Sequence, residues 1–545
     1  MAGYTVSSAD GRGRCLRATA SFEPGAHIAV FRDPLLAIPS SPVLGTQCSY
    51  CLRADRPIRL CTGCRALSYC SVDCQRAAWK PASAGGAGHK KECPVLKLAL
   101  ARSGGQPLPT PTRALLTVML GGKASEDRVK KLVGNVDGFK KNPKAWEDIR
   151  LQAYAALAYS KVAGPEKTEL YADVMCKILT NTFNAYDPDM GDSSVFLEPT
   201  LAMANHSCVP NAVVQIEGRE AVLIAERPIT AGDEIFISYI DPASCLLRRR
   251  EDLRQYHFTC TCTRCTEDID QYTVCMKYPC LDTNAFSLAS VSAMKSPTID
   301  PVMQRALKSI QAPIQAQYSS LGFPTVGMTK EQLKREFALV KPLIQAGMWA
   351  AAPIPWFLND CLGYWCYPSE EHSQDPMAAL AVTCLSAARV APISHPLPWS
   401  TYRLKSSLVV ANMIPKTLGD EQTFATQLDD ICAHVKLDES LKHTIQGANA
   451  LAMFFMILSM IQSYKDQSHA ANTVIASAQE MIAPIRATTE FGPSDPITKA
   501  KAWEQSTERD ISWFKSWKTS VVDIVEALAE LGARLVVQEF DEYIG

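Results

Sequence analysis

Several features are scarce in this chain of 545 residues, and each absence excludes something. Charge bias is missing: 55 basic against 56 acidic side chains leave a net charge of −1, so nothing demands nucleic acid as a bulk partner. Long apolar runs are missing too. The longest, Ala450 to Ile461, falls short of the roughly 20 residues that cross a bilayer, so no membrane contact is expected. Met1 to Arg14 has no apolar signal-peptide core and turns polar quickly. No repeat of fixed period stands out. The expectation is a soluble, intracellular chain, cytoplasmic or nuclear. At this length one hydrophobic core rarely serves, and two to four units are expected.

Cysteine, by contrast, is plentiful. Seven of the 20 cysteines fall between Cys48 and Cys93, and three more between Cys260 and Cys265. In a reducing compartment, clustered cysteines with short spacings read as zinc sites, not disulfides. The first group runs Cys48-x2-Cys51, Cys61-x2-Cys64, Cys70-x3-Cys74 and His89-x3-Cys93. Ligands two or three residues apart sit on one knuckle or one helical turn, and zinc takes four in a tetrahedron. Eight ligands in four pairs therefore specify two ions. A module so small has little core, so the metals should supply its folding energy. Cys15, Cys176, Cys245, Cys275, Cys280, Cys361, Cys366, Cys384 and Cys432 are scattered and read as small buried hydrophobes.

A second polar concentration is Asn205-His206-Ser207-Cys208-Val209-Pro210-Asn211-Ala212, after the apolar approach Leu201 to Ala204. Buried polar groups need partners. Cys208 has no cysteine near it in sequence; its candidate partners are Cys260, Cys262 and Cys265.

Residues 1–46 read as short strands and turns around Gly11-Arg12-Gly13-Arg14 and Glu23-Pro24-Gly25. The Gly-Arg-Gly triplet is an ordinary turn or a place of close backbone approach. Helices are expected at Val95 to Arg102, Arg113 to Leu120, Asp127 to Val133, Trp146 to Tyr159 and Glu169 to Leu179, then a loop from Asp187 to Ser194. A hairpin about Glu217-Gly218 precedes a strand from Ile235 to Tyr239 and a charged helix from Ala243 to Tyr256.

The second half reads as amphipathic helices: Met303 to Ala312, Lys330 to Met348, Met377 to Arg389, Thr401 to Met413, Glu421 to Val435, Glu439 to Ser463, Ala470 to Ile482, Pro496 to Phe514 and Ser516 to Val536. A break is read at Ala352-Pro353-Ile354-Pro355. Trp349, Trp356, Trp365 and Trp399 sit near helix ends, as core packing or as a peptide groove.

The Asn205–Ala212 motif, the Pro228-x-x-x-Gly232-Asp233-Glu234 segment ending in Ile237-Ser238-Tyr239, and Cys260-x-Cys262-x2-Cys265 together resemble a SET domain with its post-SET zinc site. The paired ligands from Cys48 to Cys93, with Tyr69, Gln75 and Trp79, resemble a MYND finger. Inserted after Gly11-Arg12-Gly13-Arg14, that finger makes the first 270 residues similar to the SET-and-MYND (SMYD) protein-lysine methyltransferases, as a fungal-type or divergent member.

The resemblance implies an α+β chain: a SET β-fold of small strands with an inserted MYND finger and a post-SET zinc site, then an all-α, TPR-like C-terminal domain. Its parts would be 1–46 (N-terminal SET), 47–93 (finger), 94–190 (helical insertion), 191–243 (SET core), 244–270 (post-SET) and 271–545 (helical). It implies an S-adenosylmethionine-dependent enzyme that methylates lysines of histone or cytosolic proteins, a proline-rich peptide partner for the finger, three zinc ions and a monomer. Zinc would lie on Cys48, Cys51, Cys70 and Cys74, on Cys61, Cys64, His89 and Cys93, and on Cys208, Cys260, Cys262 and Cys265.

By the same resemblance Arg12, Gly13, Arg14, Asn181, Asn205, His206, Tyr239 and Phe258 would contact the cofactor, and Tyr239 would be catalytic. Phe183 and Tyr256 would line the lysine channel. From the residues alone Phe183 also reads as core, Tyr256 as helix packing and Asn181 as a helix C-cap. The chain departs from the family pattern at Cys15, where a glycine is usual, and in the fourteen residues between Cys74 and His89. A cysteine forced into a left-handed backbone would cost about 1–2 kcal/mol, which gives the alternative reading of a weak or inactive interaction scaffold.

Overall fold

The computed structural model describes residues 3–9, 11–80, 87–187, 191–240, 246–267, 313–314, 317, 329–345, 349, 353–368, 373–390, 401–418, 421–465 and 468–541. The expected helix at 303–312, Trp399, Cys245, Cys275, Cys280 and residues 81–86 of the insertion before His89 lie outside them. Two units emerge: 1–242 with 249–262, and 243–248 with 263–545.

The first unit is built from short strands. β1 (Tyr4–Ala9) and β2 (Gly13–Ala18) form an antiparallel hairpin, with Gly11 and Gly13 at φ of 71° and 75°. Those left-handed conformations suit glycine, so the Gly-Arg-Gly triplet makes the turn. Cys15 is wholly buried in β2 opposite Ser7 and is not among the residues at positive φ. The strain expected of a cysteine at this position does not arise.

β3 (His27–Phe31) joins a later hairpin, β10 (Ala212–Glu217) and β11 (Glu220–Ala225), in one sheet. β4 (Leu36–Pro39), β7 (Phe183–Asp187) and β8 (Gly191–Leu197) form another, in the order β4-β8-β7. The loop expected from Asp187 to Ser194 is thus mostly strand: Ser194 pairs with Pro39 and Ala185. Sheet pairing overrides the local turn composition here. Between β4 and β7 lie the finger, with β5 (Arg59–Leu60), β6 (Ser68–Tyr69) and α1 (Val72–Trp79), and the helices α2 (His89–Arg102), α3 (Thr110–Gly121), α4 (Lys123–Val129), α5 (Val136–Lys140), α6 (Pro143–Ser160) and α7 (Thr168–Asn181). α5 has no counterpart in the sequence reading, and α4 ends before the expected Val133. Each layer has its own buried cluster: Leu16, Phe196 and Leu223 among the strands, Leu115, Met175 and Ala153 among the helices, and Leu67, Leu96 and the finger cysteines.

The strand segment is completed by two very short parallel strands, β9 (Asn205–His206) and β12 (Phe236–Ile237). Ile235 N–H donates to the Leu16 carbonyl at 2.8 Å on one side, while Ser207 N–H donates to the Ile237 carbonyl at 3.0 Å on the other. The 232–239 segment is therefore clamped between β2 and the polar motif. Asn211 closes the clamp: its Nδ2 donates to the Glu234 carbonyl at 2.9 Å, and its Oδ1 accepts from Phe236 N–H at 2.8 Å.

The second unit is helical among its described residues. Its core collects Phe357, Leu380, Phe455, Trp517, Leu528 and Phe540. A helix at Ile354–Cys366 has no counterpart in the sequence reading and starts within the break at 352–355; Pro355 sits in its first turn, where a missing N–H does no harm. The expected helix 439–463 is two, Glu439–Gln446 and Ala450–Ser463, bent by 80°. Asn449 starts the second by accepting from Ala452 N–H. The stretch 496–514 is also split, into Pro496–Gln505 and Ile511–Trp517. There Trp503 and Trp513 stack at 4.7 Å, each indole N–H donating to the other's carbonyl at 3.1 Å. Trp365 packs on Phe540, and Trp349 and Trp356 pack against the same core, as the core-packing reading has it. Among the described residues no single helix is long and apolar enough to cross a membrane.

The Asn211 clamp can be measured. Asn211→Ala removes two hydrogen bonds and strands a backbone donor and acceptor, at a cost of about 2–4 kcal/mol. Scanning calorimetry should find the melting temperature of the first unit lowered by about 5–10 °C; an unchanged melt would show the clamp to be idle.

Candidate functional site

The polar motif and the end of the 232–239 segment meet around Glu234 and Tyr239. Glu234 is buried, and three expected site residues converge on it or its neighbourhood. Arg12 donates to its Oε2 at 2.7 Å, and Asn205 Nδ2 donates to its Oε1 at 2.8 Å. The Asn205 amide also reaches the Arg14 carbonyl at 3.3 Å. Arg12 further lies over the Phe236 ring at 5.4 Å, a cation–π contact. Its guanidinium stays half exposed while its partner does not. At Gly13 an added Cβ would meet nothing within 4 Å. Open space therefore borders this polar corner.

Tyr239 lies at the other end. Its hydroxyl donates to the Ala204 carbonyl at 2.8 Å, and its backbone N–H donates to His206 Nδ1 at 3.0 Å. Around it stand Tyr256 at 5.0 Å, His206 at 5.2 Å and Phe258 at 6.3 Å between ring centroids. Tyr256 Oη donates to the Tyr239 carbonyl at 3.3 Å. Burial, then the neighbouring Tyr256 and Glu234, push the Tyr239 phenol above its ordinary pKa, so it remains a protonated donor at neutral pH. Tyr256 is likewise pushed up by burial and then by Asp252. Phe258 is 39 % exposed, leaving an aromatic face at the margin of the cluster.

His206 and Asn181 do less at their tips than their residue types suggest. Both ring nitrogens of His206 are engaged inside the protein: Nδ1 by Tyr239 N–H, Nε2 by Cys208 Sγ at 3.3 Å. Burial, together with Arg249, holds its pKa down to about 4, so it is a neutral link between the tyrosine and the cysteine cluster. Asn181 ends α7, its Nδ2 donating to the Val133 and Lys177 carbonyls at 2.8 Å each. That is the helix-end reading for its amide nitrogen. Phe183, first residue of β7, is part-buried against the strand core.

Some contributors had no signal in the sequence. Asn135 donates to the Tyr256 carbonyl at 3.1 Å, and Phe139 packs edge-on against His257 at 4.4 Å. Helix α5 thus buttresses the segment that carries Tyr256 and Phe258. These pairs are more than a hundred residues apart, beyond the reach of any local pattern.

The cysteines gather as their spacing foretold. Three clusters bring four ligand atoms each within 4.8 Å: Cys48, Cys51, Cys70 and Cys74; Cys61, Cys64, His89 and Cys93; Cys208, Cys260, Cys262 and Cys265. A tetrahedral zinc with Zn–S of about 2.3 Å has S–S edges of about 3.8 Å. Cys51 and Cys70 are 3.7 Å apart, Cys70 and Cys74 3.6 Å, and Cys61 and Cys93 4.0 Å. The donor sets therefore fit the ion. His89 opens α2, so it and Cys93 sit one turn apart on one face, and its Nε2 lies 3.4 Å from Cys61 Sγ. Its Nδ1 is 3.8 Å from Glu92 Oε2, too far for a hydrogen bond but close enough for the carboxylate to favour a positive charge on the metal side. The long insertion before His89 leaves the ligand in place.

Comparison with known proteins agrees with this geometry. The SET domain family matches residues 13–240. The SET domain and MYND-type zinc finger protein 6 of Schizosaccharomyces pombe is 29% identical over 240 residues, 44% of this chain and 46% of that one. The histone-lysine N-methyltransferase SMYD3 of Mus musculus is 30% identical over 270 residues, 48% of this chain and 60% of its own. The N-lysine methyltransferase SMYD2 of Homo sapiens is 30% identical over 281 residues, 47% and 58% respectively. The chain thus spans about half the length of the relatives it matches. The SET domain match runs through Tyr239 and two interleaved cysteine clusters are inserted into it, which makes the first unit similar to the SET-and-MYND domain proteins.

Proposed function

We propose that the first unit is an S-adenosylmethionine-dependent protein-lysine N-methyltransferase, acting on a histone or a cytosolic protein. The observation that carries this reading is the meeting of the part-buried, protonated Tyr239 hydroxyl with the aromatic walls of Tyr256 and Phe258, a few residues from the Arg12–Glu234–Asn205 corner.

When bound, S-adenosylmethionine supplies a methyl group activated on a sulfonium. Arg12, Gly13, Arg14, Asn205 and Phe258 are the residues that would hold it: guanidinium and amide groups for its charged amino-acid end, an aromatic face for its base. His206 would contribute through its backbone, since its ring is engaged elsewhere. Asn181 has only its amide oxygen left to offer.

An incoming lysine must lose its proton, although its free pKa is about 10.4. The rings of Tyr239 and Tyr256 make an apolar wall that disfavours the ammonium form by desolvation, and Phe183, packed against the strand core, would extend it. Tyr239 then positions the neutral amine through its hydroxyl. Chemistry of this kind rests on orientation and fixed dipoles more than on an acid or base. The rival reading, an inactive scaffold, drew its support from strain at Cys15, and β2 shows none.

Incubating the protein with methyl-labelled cofactor and histones or cytosolic extract should label protein bands. Tyr239→Phe should lower the labelling about 100-fold or more with cofactor affinity, read by calorimetric titration, changed only a few-fold. Equal turnover in the variant would remove Tyr239 from the role assigned. The metal sites have their own measurement: elemental analysis should return three zinc ions per chain, one for each cluster, and Cys74→Ser should lower that number by one. A count of two in the unaltered protein would mean that one cluster holds no ion.

A further inference from the structure

A basic ledge borders the aromatic cluster around Tyr239, and the reading above makes no use of it. Seven cationic and three acidic side chains lie between Lys123 and Lys144. Lys131, Lys140, Lys141 and Lys144 are all exposed. Helix α5, at the centre of the ledge, is pressed onto the segment that carries Tyr256 and Phe258. A Cβ added to Gly138 would stand 2.3 Å from His257 Cγ, so a glycine is what lets the helix approach so closely. Asn135 and Phe139 hold the same contact. Lys141 stands close enough to help burial keep the His257 imidazole below its ordinary pKa.

These lysines are placed against the local electrostatics. Lys130 pairs with Asp127 at 3.2 Å, and Lys140 lies over the Trp146 ring at 5.1 Å. Lys131, Lys141 and Lys144 have no carboxylate within ion-pair reach among the described residues. Lys144 sits in the first turn of α6, which holds no acidic residue, and a cation there opposes the helix dipole. A merely solvated face would gain from acidic residues at these positions, so folding alone does not account for the lysines. Apolar surface lies beside them. Val133 is 62% exposed, although its carbonyl is fixed by Thr180 Oγ1 at 3.0 Å and by Asn181 Nδ2 at 2.8 Å. Leu179, next to those two donors in α7, is 38% exposed. Nucleic acid is gripped by charge along its backbone and has little use for aliphatic groups of this kind. A peptide that carries both carboxylates and an aliphatic side chain satisfies both.

We propose that the ledge receives an acidic segment of the protein substrate, its Asp or Glu side chains on Lys131, Lys141 and Lys144 and an aliphatic one on Val133 and Leu179. The proposal rests on the methyltransferase reading and deepens it, because the ledge adjoins the residues assigned to the lysine channel. Helix α5 has five residues, so Lys141 lies within about 10 Å of the His257 contact. An extended chain covers that span in about three residues, which puts the acidic segment near the target lysine in sequence. A choice between the two substrate classes follows. Like charge disfavours a basic histone tail on this surface, and charge complementarity favours an acidic cytosolic protein.

The experiment uses the full, zinc-loaded chain and short fluorescent peptides with one central lysine, read by anisotropy. One peptide carries glutamates and a leucine before the lysine, another carries them after it, and each has a control with glutamine for every glutamate. At least one acidic peptide should bind about tenfold tighter than its control, and the preference should shrink as sodium chloride rises. Lys131→Glu, Lys141→Glu and Lys144→Glu combined should abolish the preference, while Lys131→Arg, Lys141→Arg and Lys144→Arg combined should keep it. Val133→Ser should weaken acidic-peptide binding about threefold at every salt concentration. Zinc content and circular dichroism report folding; if the glutamate variant does not fold, Lys131→Gln with Lys144→Gln replaces it, with a loss in the same direction. Equal affinity for acidic and control peptides, or an unchanged preference in the folded variant, overturns the proposal. So does tighter binding of a short DNA duplex that the same variant loses. Methyl labelling separates this from the activity itself: the unaltered protein should label extract proteins retained on an anion exchanger above histones, and the glutamate variant should reverse that order. An order that does not reverse counts against the ledge alone. No labelling of either class by the unaltered protein removes the methyltransferase reading, and the anisotropy still decides whether the ledge takes an acidic segment.

Discussion

The crossing of two chain segments, 205–211 and 232–239, is the constraint on which the first unit depends. Neither segment is long enough to be a stable strand alone, since β9 and β12 have two residues each. Their pairing holds because Asn211, Glu234 and His206 supply side-chain bonds where a longer ladder would supply backbone ones. Buried amide and carboxylate groups are costly unless every partner is in place. Here Asn211 and His206 meet backbone groups of the opposite segment and Glu234 meets the Asn205 amide, so the polar residues specify one register. The same bonds set the direction of Tyr239, whose N–H and hydroxyl are both anchored to residues 204–206.

Metal and side-chain chemistry divide the work in this unit. The cysteine clusters are enclosed by protein ligands and fit structural ions, which leave no coordination position open. Among the described residues the proposed reaction centre holds no cluster. The link between the two is His206, neutral and buried, touching Tyr239 on one side and Cys208 on the other. A disturbance of the third cluster would therefore reach the tyrosine through one imidazole, without any ligand shared between them.

How much of this was legible in the sequence follows from the range of each interaction. The eight finger ligands could be read because zinc binds through pairs two to four residues apart, and the structure assembles all eight. Tyr239 could be read because it ends an apolar run beside a recognisable motif. The Arg12–Glu234 pair could not: its members are 222 positions apart, and each alone looks like an ordinary surface charge. Nor could the buttress of Asn135 and Phe139 on the segment around Tyr256, or β8, whose polar residues pair only because β4 and β7 flank them. In the helical half, amphipathic periodicity placed most helices but not their breaks. The 439–463 pattern continues through Gly447, and only the Asn449 cap and the packing around it decide that the chain turns.

The separation of Cys208 from its three partners has a consequence in time. Protein synthesis proceeds at roughly 5–20 residues per second, so Cys208 waits some seconds before Cys260, Cys262 and Cys265 exist. For that interval the nascent chain carries a lone thiol, and for about its first half the neighbouring polar groups also lack partners, because Glu234 and Tyr239 have not yet been made. The finger, whose eight ligands lie within 46 residues, can be metallated long before. The order of synthesis thus makes the third cluster a closing step: the site around Tyr239 cannot be complete until the ribosome has passed Cys265.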